Sequence, residues 1–455
     1  MAMKLEDQAR LTAFYNELSD RPLEPDDPLY EPLDKGTGDS TAVGGLRGQD
    51  CVGALLSTIV MSQSETCQLF SGFRGSGKST ELRRLRDGLR KKGYLVLLCD
   101  AVPYMNLSSP LDITDLLVVL AGALGDLVRE ETGEEVIRQS YWRRFLEFAR
   151  RTKISVDEME VGVGVGDDAE TRLKASFKSD PTFKQRVQER LAGHLGSLVK
   201  DANLFVAECA AALRAGHPDA EGFVFLVDSL EQLRGTTANA EAVYKSVDEV
   251  FGGHAEKLRM PGFHVVYSVP PYLKVMNPGV AALYSGPVRL LPMTKLWGRD
   301  PERPPVEAGI AALTRLVQHR GELRKIVPNA DDVRKVVQLS GGYIRDLVRI
   351  FQEAARLAMQ ADRLPVDGAM IDAAVAAIRR DYQPILKDDA DWLARVANTR
   401  DCCIGDVANV RRIAKLFDSH VVLSYQNDDE WYDVHPLIRD HVLGVAALSR
   451  GRSVW

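Results

Sequence analysis

The most explicit chemistry in the chain sits in eight consecutive residues, Gly72-Phe73-Arg74-Gly75-Ser76-Gly77-Lys78-Ser79. They satisfy the spacing G-x-x-x-x-G-K-[ST], in which successive backbone N–H groups can wrap a phosphate. Glycines allow the tight turns and the close approach that such a wrap needs. Lys78 would bring an ammonium to the β- and γ-oxygens, Ser79 a hydroxyl to Mg²⁺, and the helix starting there its positive end. Thr80 follows directly. The implied ligand is ATP or ADP with Mg²⁺. A carboxylate pair comes later, where the apolar run Phe223–Val227 ends in Asp228 and Glu231 lies three residues on. A strand-end carboxylate can hold the magnesium shell, and the second acid can polarise an attacking water. Ser268 closes the next apolar run, a position for a polar group near a terminal phosphate. Arg345, in Ser340-Gly341-Gly342-Tyr343-Ile344-Arg345, enters the first turn of a predicted helix and can fold onto phosphates.

The candidate set is therefore Gly72, Phe73, Arg74, Gly75, Ser76, Gly77, Lys78, Ser79, Thr80 and Asp228 for the nucleotide, with Ser79 and Asp228 on Mg²⁺. Glu231, Lys78, Arg345 and Ser268 are the candidate catalytic groups.

The elements that must position these residues read as alternating strands and helices. Cys67–Ser71 is a short apolar strand, Thr80–Lys92 a helix with Leu82, Leu85 and Leu89 on one face, and Tyr94–Cys99 a continuous apolar strand. A helix over 112–128, then strands at 223–227, 263–267 and 288–291, complete a β-α-β pattern and imply a parallel sheet. Val161–Gly166 alternates, as do Leu173, Ala175 and Phe177 around Asp167-Asp168, which predicts a hairpin. Asp180-Pro181 predicts an N-cap with proline at the first helical position, opening one helix to about Arg214, roughly 50 Å long. Residues 305–382 read as helices alone. Residues 385–450 read as helix, turn, helix, then two strands, Val421–Tyr425 and Trp431–Val434, joined by a polar turn: the layout of a winged helix. The expected division is an arm over 1–45 and an ATPase core over 46–300 with an insertion at about 153–215. A helical lid over 301–383 and a winged-helix domain over 384–455 follow.

Composition excludes several classes. The chain has 455 residues, 58 Lys+Arg against 64 Asp+Glu, and 45% apolar residues. A formal charge of −6 is the wrong sign for a dedicated nucleic-acid binder. Residues 385–455 carry nine Lys/Arg and eleven Asp/Glu, a net of −2, and the wing turn Gln426-Asn427-Asp428-Asp429-Glu430 would repel a phosphate backbone. That favours a protein partner over DNA for this unit. The 6 cysteines form no C-x-x-C pair, so neither a zinc site nor a disulfide framework is indicated, and a reducing cytoplasmic setting is expected. The N-terminus has no signal-peptide core, and the longest apolar run, Leu116–Leu124, is too short to span a bilayer. His420 and His435 read as structural.

The four nucleotide-handling features, in this order, resemble the P-loop ATPases of the AAA+ and STAND superfamilies over roughly residues 45–450. Phe225-Leu-Val-Asp228-Ser-Leu-Glu231 is similar to the NACHT-type Walker B. Gly341–Arg345 is similar to the sensor-2 helix of origin-initiator AAA+ ATPases. The resemblance implies an ASCE-type parallel sheet in a three-layer α/β/α core, followed by a lid and a winged helix. It also implies an ATP-driven molecular switch that controls a separately encoded protein partner or effector, with bacterial antiviral defence as the setting by analogy. A homo-oligomer is compatible with it. Two other readings stand beside it: a DNA-associated AAA+ regulator of transposition, replication initiation or transcription, and a nucleotide-bound scaffold without turnover. The chain departs from both groups between Val269 and Pro287, where no arginine is found and only Lys274 is basic. Arg259 and Arg299 are the substitutes for an arginine finger, whose absence is worth about 10³–10⁵ in rate.

Overall fold

The computed structural model describes residues 3–33, 45–133, 139–151, 167–236, 238–402 and 407–451. The chain forms two compact units. One comprises Met1–Cys51, Phe73–Arg83 and Leu291–Trp455, the other Val52–Gly72 and Arg84–Leu290.

A five-stranded sheet is formed by β1 (Cys67–Gly72), β2 (Leu95–Asp100), β3 (Phe223–Asp228), β4 (His264–Val269) and β5 (Arg289–Leu291), in the order β2-β3-β4-β1-β5. The β2–β3, β3–β4 and β4–β1 pairs are parallel. β1, β3 and β4 are buried at every position, so helices cover both of their faces, which is why they read as unbroken apolar runs. β2, at the sheet edge, is buried only in part. The order is the ASCE-type one expected from the sequence, with β4 inserted between the loop strand β1 and the carboxylate strand β3.

The insertion corrects two expectations. Val161–Gly166 lies outside the described residues. Leu173, Ala175 and Phe177 belong to a helix, Asp167–Ser179, and not to a strand. Leu173 and Phe177 are buried while Ala175 is exposed. Positions i and i+4 share a helix face, so the apolar spacing that suggested alternation fits a helix as well. The expected single helix is two, Pro181–Leu191 and Leu195–Gly216, separated by a 3₁₀ turn at Ala192–His194. Gly193 and Gly196 lower helix propensity at the break. The N-cap is as expected: Asp180 Oδ1 accepts from the backbone N–H groups of Thr182 and Phe183, both at 2.9 Å, with Pro181 next. An aromatic cluster holds the insertion together, Phe177 touching Phe145 and Phe183 with ring centroids 5.7 and 5.3 Å apart.

In the other unit, the helices Glu307–Gln318, Ala330–Leu339, Ile344–Gln360 and Gly368–Arg380 enclose one apolar core. The N-terminal helix Leu5–Glu17 belongs to it, through Leu11, Phe14 and the following Leu18. Phe14 packs edge-on to Phe351 at 6.3 Å. The winged helix follows, with helices Lys387–Thr399 and Val407–Asp418 and antiparallel strands β6 (Val422–Gln426) and β7 (Glu430–Val434). A further helix, Pro436–Gly451, packs back on the first. His435 is fully buried, 3.3 Å from the Asp346 carboxylate, which also accepts the Tyr382 hydroxyl at 2.6 Å. Burial works against that carboxylate's charge, but His435, Tyr382 and Arg349 together hold its pKa below the usual value.

Cys51, Cys67, Cys99, Cys209 and Cys402 are buried. Among the described residues no disulfide joins them and no group of three His, Cys, Asp or Glu could hold a metal. No described helix is long and apolar enough to cross a membrane.

Candidate nucleotide-binding site

Gly72 closes β1, and the loop runs from Phe73 into the helix Lys78–Arg90. The Ser76 N–H returns to Phe73 O at 3.2 Å, making a tight turn. Gly75 and Gly77 have φ of +79° and +98°, a region that side chains with a Cβ rarely enter. The first N–H groups of the helix have no carbonyl one turn back, so they face outward with its positive end. Lys78 is buried, and its Nζ donates to Phe73 O at 2.7 Å.

The loop carbonyls are held from behind. Arg47, only 1% exposed, donates from Nη2 to Ser76 O at 2.8 Å and from Nε to Thr294 Oγ1 at 3.3 Å. Arg74 O accepts two hydrogen bonds, from the Tyr343 hydroxyl at 2.8 Å and from His420 Nε2 at 3.1 Å. A peptide is planar and trans, so its N–H points opposite its C=O. Fixing the carbonyls of Arg74 and Ser76 therefore turns the N–H groups of Gly75 and Gly77 the other way, as a phosphate cradle requires. The Ser76 hydroxyl is buried and meets no partner among the described residues. Turned N–H groups, an adjacent ammonium and the hydroxyls of Ser79 and Thr80 fit a nucleotide polyphosphate and its Mg²⁺.

Lid and winged helix both reach this loop. Phe73 packs edge-on to Phe417 of the winged helix, with centroids 5.4 Å apart, and His420 stacks on Tyr343 at 4.9 Å and 14°. Burial, then the positive charge of Arg345, pushes the His420 imidazole down to about 3, so it is neutral and bears its proton on Nε2. Arg345 follows Tyr343 in the first turn of Ile344–Gln360 and lies against Gly75, where an added Cβ would fall 2.7 Å from its Nε. Its Nε and Nη2 both donate to Asp20 Oδ2, at 2.8 and 2.6 Å. The Thr80 hydroxyl accepts the Leu23 N–H at 3.1 Å.

The second unit gathers Asp228, Glu231 and Ser268. Asp228 ends β3 and caps the next peptide, accepting the Ser229 N–H at 2.7 Å. Ser229 takes φ +72° and turns the chain into a 3₁₀ turn, Leu230–Gln232, that carries the buried Glu231. The fully buried Ser268 on β4 accepts the Leu230 N–H at 3.1 Å. It thus fastens the turn that presents Glu231, a task that the spacing did not suggest.

Of the finger substitutes, Arg259 is engaged by Glu256 at 3.3 Å and by Leu283 O at 3.2 Å, and Arg299 is exposed. Sequence reasoning missed Arg47, Asp20, Thr294 and Phe417 and gave His420 only a structural part. Tyr343 lies within Ser340–Arg345, and only the fold gives it its role on Arg74 O. No local signal announces Arg47: its burial and the φ of +81° at Gly48 are visible only in the fold.

No protein-family model matches the chain, and no curated protein does. Among solved structures it is similar to the Aeropyrum pernix ORC2 protein in ADPNP–ADP complexes, at 11% identity over 94% of this chain and 98% of that one, with a TM-score of 0.41. The Walker-type ATPase PABY2304 of Pyrococcus abyssi matches at 15% identity over 95% and 99%, with a TM-score of 0.37. The Aeropyrum pernix ORC1 protein in complex with DNA matches at 13% identity over 96% and 97%, also at 0.37.

Proposed function

We propose that the chain is an Mg²⁺-dependent ATPase that works as a molecular switch. Gly72–Thr80 bind the polyphosphate, Lys78 and Arg345 neutralise its β- and γ-oxygens, and Ser79 and Asp228 ligate Mg²⁺. Bound Mg²⁺ would supply charge neutralisation at the terminal phosphates. Glu231 orients and deprotonates the attacking water, and Ser268 holds the turn carrying Glu231. Without an arginine between Val269 and Pro287, turnover is slow or depends on a partner.

The observation that carries the switch reading is the Arg74 carbonyl, which is shared by the lid residue Tyr343 and the winged-helix residue His420. Any shift of the loop on nucleotide binding or loss changes a hydrogen bond to each. The net −2 of residues 385–455 favours a separately encoded protein partner as the receiver, and antiviral defence is its setting by analogy alone. The DNA-associated reading keeps one observation in its favour, the exposed Arg411 and Lys415 one turn apart on Val407–Asp418.

The test is nucleotide binding and turnover by the full chain. Lys78→Ala abolishes ATP binding; unaltered affinity refutes the site. Glu231→Gln binds ATP and loses turnover. Wild type that holds nucleotide tightly without turnover, alone and with copurifying partners, refutes the switch and leaves the scaffold.

A further inference from the structure

The arm between Leu18 and Leu23 is pinned at both ends. Leu18 is buried in the lid core and its carbonyl accepts from Gln352 Nε2 at 3.0 Å; the Leu23 N–H is held by Thr80. Glu24 pairs with Arg83 of the loop's own helix at 3.1 Å, and Arg21 pairs with Asp27 at 3.0 Å. Asp20 stands in the middle of this short span. It lines the same cavity as Gly75, Gly77, Thr80 and Arg345. Glu31 also lines it but is engaged by Arg315 at 2.7 Å and His319 at 3.3 Å.

We propose that Asp20 sets the discrimination between nucleoside triphosphate and diphosphate by competing with the terminal phosphate for Arg345. The inference rests on the reading of Arg345 as a phosphate ligand. Both donors of the guanidinium edge, Nε and Nη2, end on the Asp20 carboxylate while the side chain lies over Gly75. A γ-phosphate that recruits Arg345 must take it from Asp20 or sit beside a like charge. A diphosphate makes no such demand. The competition is mild, because Asp20 is 60% exposed and exposed ion pairs contribute little. Asp20 therefore tunes the ratio of the two affinities and leaves the site otherwise intact.

The experiment is calorimetric titration of the full chain with a non-hydrolysable ATP analogue and with ADP, both with Mg²⁺. Asp20→Asn and Asp20→Ala tighten the triphosphate by about two- to fivefold, the range expected from an exposed pair, and leave ADP unchanged. In an Arg345→Ala background the same substitutions have no effect on either ligand. Equal shifts for both ligands, no shift, or a shift that survives without Arg345 overturns the assignment. Lys78→Ala run alongside separates the two ideas. If it leaves both affinities intact, the nucleotide site itself is refuted; if it abolishes binding while Asp20 variants behave as wild type, only the role of Asp20 falls.

Discussion

Arg74 O is one acceptor with two donors from different parts of the fold, and that predicts a specific non-additivity. Tyr343→Phe deletes one hydroxyl and keeps the ring stacked at 4.9 Å on His420. The remaining donor still serves the carbonyl, so the loss is that of one net hydrogen bond, about 0.5–1.5 kcal/mol. His420 sits at φ +58°, so the matching substitution is Asn, which tolerates the left-handed region but is too short to donate. His420→Asn adds the lost ring stack, about 0.5–1.5 kcal/mol, to a similar hydrogen-bond loss. The double variant leaves the carbonyl without either donor, a further cost of about 1–3 kcal/mol when no water replaces them. Arg74 is only half-buried, so the lower half of that range applies and a coupling of about 1 kcal/mol is expected. Urea unfolding of the four proteins measures it. The peptide between Arg74 and Gly75 also loses its orientation, so ATP affinity falls about two- to fivefold in each single variant and more than tenfold in the double. Additive unfolding energies within about 0.3 kcal/mol, or unaltered ATP affinity in the double variant, would refute the idea that lid and winged helix jointly hold the loop.

Gly342→Ala is expected to be severe. At φ +79° its Cβ would lie 1.9 Å from Thr294 O and 2.8 Å from Thr294 C, backbone atoms that cannot step aside. Strain and clash together cost about 2–5 kcal/mol in urea unfolding, and ATP binding weakens because Thr294 also holds Arg47. Gly444→Ala, exposed in a helix with nothing within 4 Å, is the control and is stabilising by about 0.5–1 kcal/mol. Stability also falls with acid in a defined window. Free histidine titrates near 6.5, whereas His420 is pushed down to about 3 by burial and by Arg345, with Lys78 and His435 adding to this and Asp346 opposing it. The unfolded chain thus takes a proton that the folded chain refuses. The contribution is complete above about 6.5 and is lost as pH falls toward about 3, at up to about 1.4 kcal/mol per pH unit. His420→Asn flattens that slope, which a pH series of unfolding curves measures; an unchanged slope refutes the burial.

The parts of the site that could be read beforehand are local. The eight residues of the loop are contiguous, and Asp228 and Glu231 lie on one strand and its turn, so their spacing alone announces them. What holds the loop is not local. The donors to Ser76 O and Arg74 O come from residues 29, 269 and 346 positions away, and nothing around Arg47 or His420 in sequence points to a carbonyl. The insertion is ambiguous for a different reason: Leu173 and Phe177, four apart, share a face in a strand and in a helix alike, and only the exposure of Ala175 between them decides for a helix. The acidic charge of the winged helix was legible, but its meaning depends on the same tertiary contacts. Phe417, near the end of Val407–Asp418, packs on Phe73, and His420, two residues beyond that helix, reaches Arg74. The C-terminal end of the second helix is thus committed to the nucleotide loop. In a helix-turn-helix reader, the second helix is the one laid into the major groove. Here its end is occupied in holding the loop, and Arg411 and Lys415 are exposed on the same helix. These contacts support the proposed loop-reporting role for this unit, and a DNA-reading role would have to be carried by that exposed side alone.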